Sequence, residues 1–321
     1  MSDYLPKVLL LIRNQIVKKL NPLGAPIKRC TKNLREYVCS DNCSTILYTG
    51  CMYYTMGLVS KFSNLIKLLT KNPTSERIVS LAEKFSGLSS LFLRMFSNKY
   101  FEQVPVKAIK ILQKIGYSVS VLEKEPYSGA LLHDLGFYDD LIRYGEKLRD
   151  FFKAKKVREI IVIDPHTYDL FVNVYAREID GFDFEIINIV TILDEAIEEK
   201  KLELKSLEKI RVTYHDPCHY SKSLNYRIIE EPRRILNSIG NLELVEPFNT
   251  RELSICCGGP LEFVFRELSE EIARVRIKEL EETGADLIVT ACPICMSIFR
   301  SVRKNTKVVD LLDLVYDCLE G

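Results

Sequence analysis

The sequence has no tryptophan, four histidines and three glutamines among 321 residues. Charge of neither sign is in excess, since 45 Lys and Arg against 44 Asp and Glu leave +1. That balance excludes the basic footprint of a nucleic-acid binder. No apolar run reaches the ~20 residues of a membrane span. The opening "KVLLLIRNQIVKKL" is too short in its apolar part for a secretory signal and reads as an amphipathic helix. Together these absences describe a soluble globular chain, expected in the cytoplasm, with a peripheral position at the inner face of a membrane left open.

Cysteine is missing from one long stretch and crowded on either side of it. Four of the ten fall between Cys30 and Cys51, none between residues 52 and 217, and six from Cys218 onward. In a reducing compartment such clustering points to metal or redox chemistry rather than a disulfide framework. The Lys, Glu and Ile richness has a thermophile character, and some thermophiles keep intracellular disulfides.

What is present repeats. "STILYTGCMYY" (44–54) parallels "KIRVTYHDPCHY" (209–220), and "YSVSVLEKEPYSGALL" (117–132) parallels "LELVEPFNTRELSICCGGPLEF" (242–263). "REIIVIDPHTYDLF" (158–171) parallels "ADLIVTACPICMSIF" (285–299), and "FEIINIVTILDEAI" (184–197) parallels "TKVVDLLDLVYDCL" (306–319). Short Val/Ile-rich runs alternating with charged helical stretches predict α/β architecture: two tandem related α/β domains with mainly parallel sheets. Cys51 to Tyr127 encloses 75 residues against 37 between Cys218 and Cys256, so the first half carries 38 extra. They fall over 57–96, where apolar residues recur at helical spacing (Leu58, Phe62, Leu65, Leu69; Ile78, Leu81, Phe85), predicting a covering insertion of two amphipathic helices. The expected organisation is an N-terminal helical arm at 1–43, a first repeat at 44–205 and a second at 206–321.

In the second repeat, Cys218, the pair Cys256–Cys257 and the pair Cys292/Cys295 each follow a β-rich run. The ends of parallel strands line one crevice, so these residues are expected to meet, with helix N-termini aimed at them. Adjacent thiols before two glycines read either as small buried hydrophobes or as ligands swung onto one object. Five converging thiols fit poorly around one tetrahedral zinc and favour a multi-iron cluster. His215 and His219 flank Cys218, either to tune such a cluster or move protons or as structural hydrogen-bonding groups. Cys318 reads as a core residue.

The spacing Cys218-x37-Cys256-Cys257-x34-Cys292-x2-Cys295, with "HDPCH" and "ACPIC" around it, resembles the CCG cysteine-rich domain. That family includes heterodisulfide reductase subunits and the iron–sulfur subunits of glycolate, lactate and glycerol-3-phosphate oxidising enzymes. "NPLGAP" (21–26) followed by "YTGC" resembles the entry to the first of two tandem CCG domains. The resemblance implies a noncubane [4Fe-4S] cluster bound by all five cysteines. It also implies an iron–sulfur redox subunit of a heterodisulfide reductase-like or flavin-linked dehydrogenase complex, served by a flavoprotein or ferredoxin-like partner. The alternative is a zinc-stabilised scaffold or assembly protein of such a complex. The first repeat departs from the pattern: Tyr127-Ser128 stand at the paired cysteines and Asp164-Pro165-His166-Thr167 at Cys-x-x-Cys, so no cluster is expected there. Cys51, Asp164 and His166 remain as a conceivable mononuclear metal set, against a reading as relics. Cys30, Cys39 and Cys43 fit no ferredoxin spacing, leaving a small metal site or a disulfide open. Catalytic residues are not legible from the sequence.

Overall fold

The computed structural model describes residues 6–40, 42–69, 98–223 and 225–319. Helix α1 (Lys7–Lys19) turns Val8, Leu9, Ile12 and Ile16 inward, as its spacing predicts. The first half then runs β1 (Val38–Cys39), β2 (Thr45–Tyr48), α2 (Met52–Leu69), α3 (Lys99–Lys114) and β3 (Val121–Leu122). It continues through α4 (Ala130–Asp134), α5 (Tyr138–Ala154), β4 (Glu159–Val162), α6 (Pro165–Leu170), β5 (Glu185–Asn188) and α7 (Ile189–Glu198). Of the insertion expected over 57–96, residues 70–96 lie outside the described residues. Its first helix belongs to α2, which starts directly after Cys51.

The second half repeats this order with β6 (Lys205–Tyr214), α8 (Cys218–Ser221), α9 (Glu230–Ser238), β7 (Gly240–Leu244) and α10 (Arg266–Glu281). It ends with β8 (Leu287–Thr290), α11 (Pro293–Val302), β9 (Lys307–Asp310) and α12 (Leu311–Asp317). Every strand pair is parallel, with orders β2-β4-β5 and β7-β6-β8-β9. Ser120, just before β3, bridges Ile46 on the other side of β2, so both halves present the same order. The fold class is therefore α/β with parallel sheets. The strands read as near-continuous apolar runs because helices cover both faces; Ile46, Ile160, Ile161, Val212, Ile288 and Val289 are all fully buried.

The two halves pack as a swapped pair. Helix α2, which follows β2, packs on α11, which follows β8; α8, after β6, packs on α6, after β4, in the reciprocal sense. Likewise α3 packs on α12, and α9 on α7. The polar contacts repeat the symmetry. Tyr53, two residues past Cys51, donates to Asp310 at the end of β9 (2.9 Å), while Asn188 at the end of β5 donates to Tyr220, two residues past Cys218 (2.7 Å). The strand ends of both halves thus converge on one seam.

Candidate metal centre

Strand β6 delivers His215-Asp216-Pro217-Cys218, and β8 delivers Ala291-Cys292-Pro293 to the same edge. Cys292 is the N-cap of α11: its Sγ accepts the Cys295 N–H at 3.5 Å, and Pro293 takes the first helical position, where no N–H is needed. In the first half Asp164 caps α6 in the same way, accepting the Thr167 N–H at 2.9 Å ahead of Pro165. A carboxylate and a cysteine do the same structural job at equivalent positions.

The paired cysteines arrive differently from the simple strand-to-helix expectation. β7 ends at Leu244, and Cys256 and Cys257 stand on a long loop beyond it. A single turn, Gly259–Phe263, follows, and α10 begins only at Arg266. Gly258 has φ +80°, and a Cβ there would sit 2.7 Å from the Ser269 carbonyl oxygen. Gly259 has ordinary φ but lies against Ile294, so a Cβ would collide with that side chain. One glycine turns the chain; the other lets the turn close onto the Cys292–Cys295 loop. The amides of Gly258 and Gly259 point at Cys256 Sγ and Cys257 Sγ, each at 3.4 Å.

All five thiols come together. Cys218 contacts Cys256, Cys256 contacts Cys257, Cys257 contacts Cys295, and Cys295 contacts Cys292. Cys257, Cys292 and Cys295 are buried, whereas Cys218 and Cys256 keep some exposure. Packed thiols cannot all ionise without a cation. Hydrogen bonds from Cys218 and Cys257 pull Cys256 down, and the same contacts push Cys218 and Cys257 up. Burial raises Cys292, yet hydrogen bonds from Cys295 and His166 outweigh it and leave it low. Cys295 is pushed up by burial and by its two sulfur neighbours.

Two histidines border the group. A ring nitrogen of His215 lies within 4.8 Å of Cys257 and Cys295 Sγ. Its Nδ1 accepts from Arg276 Nε at 3.2 Å, which places the ring proton on Nε2, a buried atom with no protein partner. Burial and the Arg276 charge hold this imidazole well below its usual pKa, hence neutral. His166, from the first half, reaches across the seam to Cys292. Burial opposes its charge, but Asp134 and the Cys292 thiolate prevail and raise it well above the usual range. His219 binds Asp169, 2.7 Å from its Nδ1, and its ring lies against that of His166, 4.1 Å between centroids.

The conceivable first-half set of Cys51, Asp164 and His166 does not assemble. Cys51 is bonded to Cys30, and a second disulfide joins Cys39 to Cys43. Asp164 caps α6 through Oδ1. In the first half, Glu125 and Tyr127 stand beside Cys51 where the second half has its thiols. Glu125 is fully buried there, accepting from Thr49 N (3.2 Å), Thr49 Oγ1 and Cys51 N (3.1 Å), and Tyr127 is buried with its OH on Leu131 N (3.2 Å). Cys318 is a buried free thiol in the core.

Residues 212–300 match the family model described as CCG, the cysteine-rich domain. The second half carries a CCG domain. Relatives extend the likeness. The chain is 28% identical over 222 residues to the probable iron-sulfur-binding oxidoreductase FadF of Bacillus subtilis, covering 68% of this chain and 31% of that protein. It is 34% identical over 143 residues to a dihydromethanophenazine:CoB–CoM heterodisulfide reductase subunit of Methanosarcina acetivorans, covering 42% of this chain and 34% of the relative. This chain thus spans about a third of the length of these relatives. Among solved structures, a hypothetical protein from Helicobacter pylori aligns with TM-score 0.48 at 17% identity, covering 68% of this chain and 46% of that one.

Around the CCG domain's thiols, the supporting residues carried little signal in the sequence. Arg276 is fully buried on α10 and binds His215, the Asn249 carbonyl (2.8 Å), Ser254 Oγ (3.1 Å) and Glu279 (2.7 Å). Arg233 on α9 grips Asp216 with both terminal nitrogens (2.7 and 2.9 Å) and reaches Glu246 and Thr250. These two arginines pin the long loop carrying Cys256 and Cys257 against the "HDPC" turn. The available signal was an arginine on the apolar face of each helix, Arg276 beside Ala273, Ile277 and Leu280, and Arg233 near Ile235 and Leu236. The donor set suits an iron–sulfur cluster: soft sulfur ligands only, three of them buried, with backbone N–H groups directed at the sulfurs.

Proposed function

We propose that this chain is an iron–sulfur redox subunit in which Cys218, Cys256, Cys257, Cys292 and Cys295 bind one cluster, a noncubane [4Fe-4S]. The observation that carries the proposal is the contiguous chain of five sulfurs, drawn from three separate segments onto one seam. When bound, the cluster supplies a site that accepts and releases electrons. The protein's part is to present five thiolates, aim the amides of Gly258, Gly259 and Cys295 at three of them, and set His166 beside Cys292. The first repeat, 44–205, is a structural half with its helical insertion, the arm 1–43 leads into it, and 206–321 is the cluster-binding half.

The role we assign is electron transfer, extending to thiol or disulfide reduction, within a heterodisulfide reductase-like or flavin-linked dehydrogenase complex. A flavoprotein or ferredoxin-like subunit is the partner. Relatives whose names describe a heterodisulfide reductase subunit and an iron-sulfur-binding oxidoreductase support this reading. Among the described residues no helix is long and apolar enough to cross a membrane. We place the chain in the cytoplasm, with room for attachment to a complex at the inner membrane face; a probable membrane-anchored ferredoxin of Chromohalobacter salexigens is a relative of 27% identity.

Anaerobic reconstitution tests the cluster. The chain should bind about four irons with matching sulfide and turn brown, and serine at any of the five cysteines should lower the iron content. A colourless, iron-free product would overturn the reading. Zinc in place of iron, from iron-replete cells, would favour the scaffold alternative.

A further inference from the structure

A second group of metal-ligating side chains lies on the same seam but outside the five thiols. Asp134 ends α4, His166 stands in the first turn of α6, and His219 lies in α8, so both halves contribute. One ligand atom from each lies within 4.8 Å of the others. His166 Nδ1 is 3.4 Å from Asp134 Oδ2, and His219 Nε2 is 3.8 Å from Asp134 Oδ1. Asp134 Oδ2 and His166 Nδ1 meet only through that long 3.4 Å contact and make no hydrogen bond, although both atoms are buried and His166 is only 3% exposed. Buried polar atoms left without partners are rare and call for an explanation.

We propose that Asp134, His166 and His219 bind one divalent transition-metal ion of the zinc class. Metal–ligand bonds of 2.0–2.1 Å in a tetrahedral site put neighbouring ligand atoms about 3.3 Å apart. The two separations run to different carboxylate oxygens, 3.4 Å to Oδ2 and 3.8 Å to Oδ1; both are long for good hydrogen bonds and near the spacing of neighbouring ligand atoms around one ion. The outer partners fit as well. His219 turns Nε2 inward because its Nδ1 is held by Asp169 at 2.7 Å, and Asp169 is itself held by Asn173 (2.5 Å) and Tyr226 (3.3 Å). A carboxylate on the far nitrogen of a ligating histidine fixes its tautomer and orientation. Two imidazoles and one carboxylate select zinc-like ions over calcium or magnesium, which take oxygen ligands. Three protein ligands leave one position free for water or a substrate atom. The His166 ring also meets Cys292, so the ion would stand one side chain away from the thiol group.

The proposal does not depend on the cluster. Iron, sulfide and zinc are counted in the same anaerobically reconstituted full-length chain, dialysed against micromolar zinc. The expected result is one zinc per chain beyond the iron. Asp134→Asn should lower zinc affinity at least tenfold with iron per chain unchanged. Asp169→Asn, which keeps all three ligands, should lower it 10–100-fold and serves as the test if the first variant misfolds. No zinc uptake by the wild-type chain overturns the proposal, as does wild-type affinity in both variants; the three residues are then a metal-free ion network. Zinc lost in Cys257→Ser but retained in Asp134→Asn also overturns it, placing the ion on the thiols. Absence of iron alongside zinc that depends on Asp134 would sink the cluster reading alone.

Discussion

Alanine at Gly258 and alanine at Gly259 should both damage the thiol centre, for different and separable reasons. At Gly259 the backbone is ordinary, and the one obstacle is the Ile294 side chain, whose Cγ2 occupies the position of the new Cβ. Forcing a methyl into a packed site costs about 1–3 kcal/mol. Trimming Ile294 to alanine removes the colliding atom and leaves its Cβ 3.7 Å away, an ordinary contact. Ile294→Ala alone opens a cavity and costs about 2–5 kcal/mol, but Gly259→Ala added to it should cost under about 0.5 kcal/mol. The cycle should therefore show a coupling of about 0.5–3 kcal/mol between these residues. At Gly258 the obstacles are φ +80° and the Ser269 carbonyl oxygen, with the Ile272 side chain at 3.1 Å, and none of them involves Ile294. Ile294→Ala should give that variant no relief. Urea midpoints with unchanged slope measure the stabilities, and iron per chain after reconstitution measures the site. Additivity within about 0.5 kcal/mol for Gly259→Ala and Ile294→Ala would refute this account of the double glycine.

Two further outcomes follow from other parts of the seam. Burial raises Asp310 from 3.8 to about 7, so the folded chain holds a proton there that the unfolded chain releases near pH 4. The stability this group contributes should be fully present below about pH 4 and be lost as pH rises through 7, up to roughly 4 kcal/mol. Asp310→Asn retains the Leu312 cap through Oδ1 and carries no charge, so its urea midpoints at pH 5 and pH 8 should lie closer together than the wild type's. Part of the slope should persist, because Glu125, also raised by burial to about 7, acts in the same direction; an unaltered slope would show that Asp310 is not the titrating group. Replacing both Cys30 and Cys51 by alanine opens the loop their disulfide closes and should cost about 3 kcal/mol in thermal or urea unfolding, with iron per chain unchanged. A loss of iron would mean that the first half takes part in the cluster.

The alternation of short β-runs with charged helices, the internal repeat and the five-cysteine spacing were all present in the chain itself. They are local patterns: a parallel strand covered on both faces must be apolar throughout, and parallel connections carry the loops after successive strands to one edge. Cys218, Cys292 and Cys295 followed from that rule. The tertiary structure alone decided the remainder. Cys51 pairs with Cys30 because the N-terminal segment folds back over the first half, which its spacing does not encode. His215 and His219 both flank Cys218 in sequence, yet the strand end leaves one beside the thiols, while the α8 turn sends the other to Asp169 in the opposite half. Arg276 offered only an incongruous charge on an apolar helix face. Its role depends on which distant loop settles over that face, and a buried guanidinium is stable only where enough acceptors converge on it.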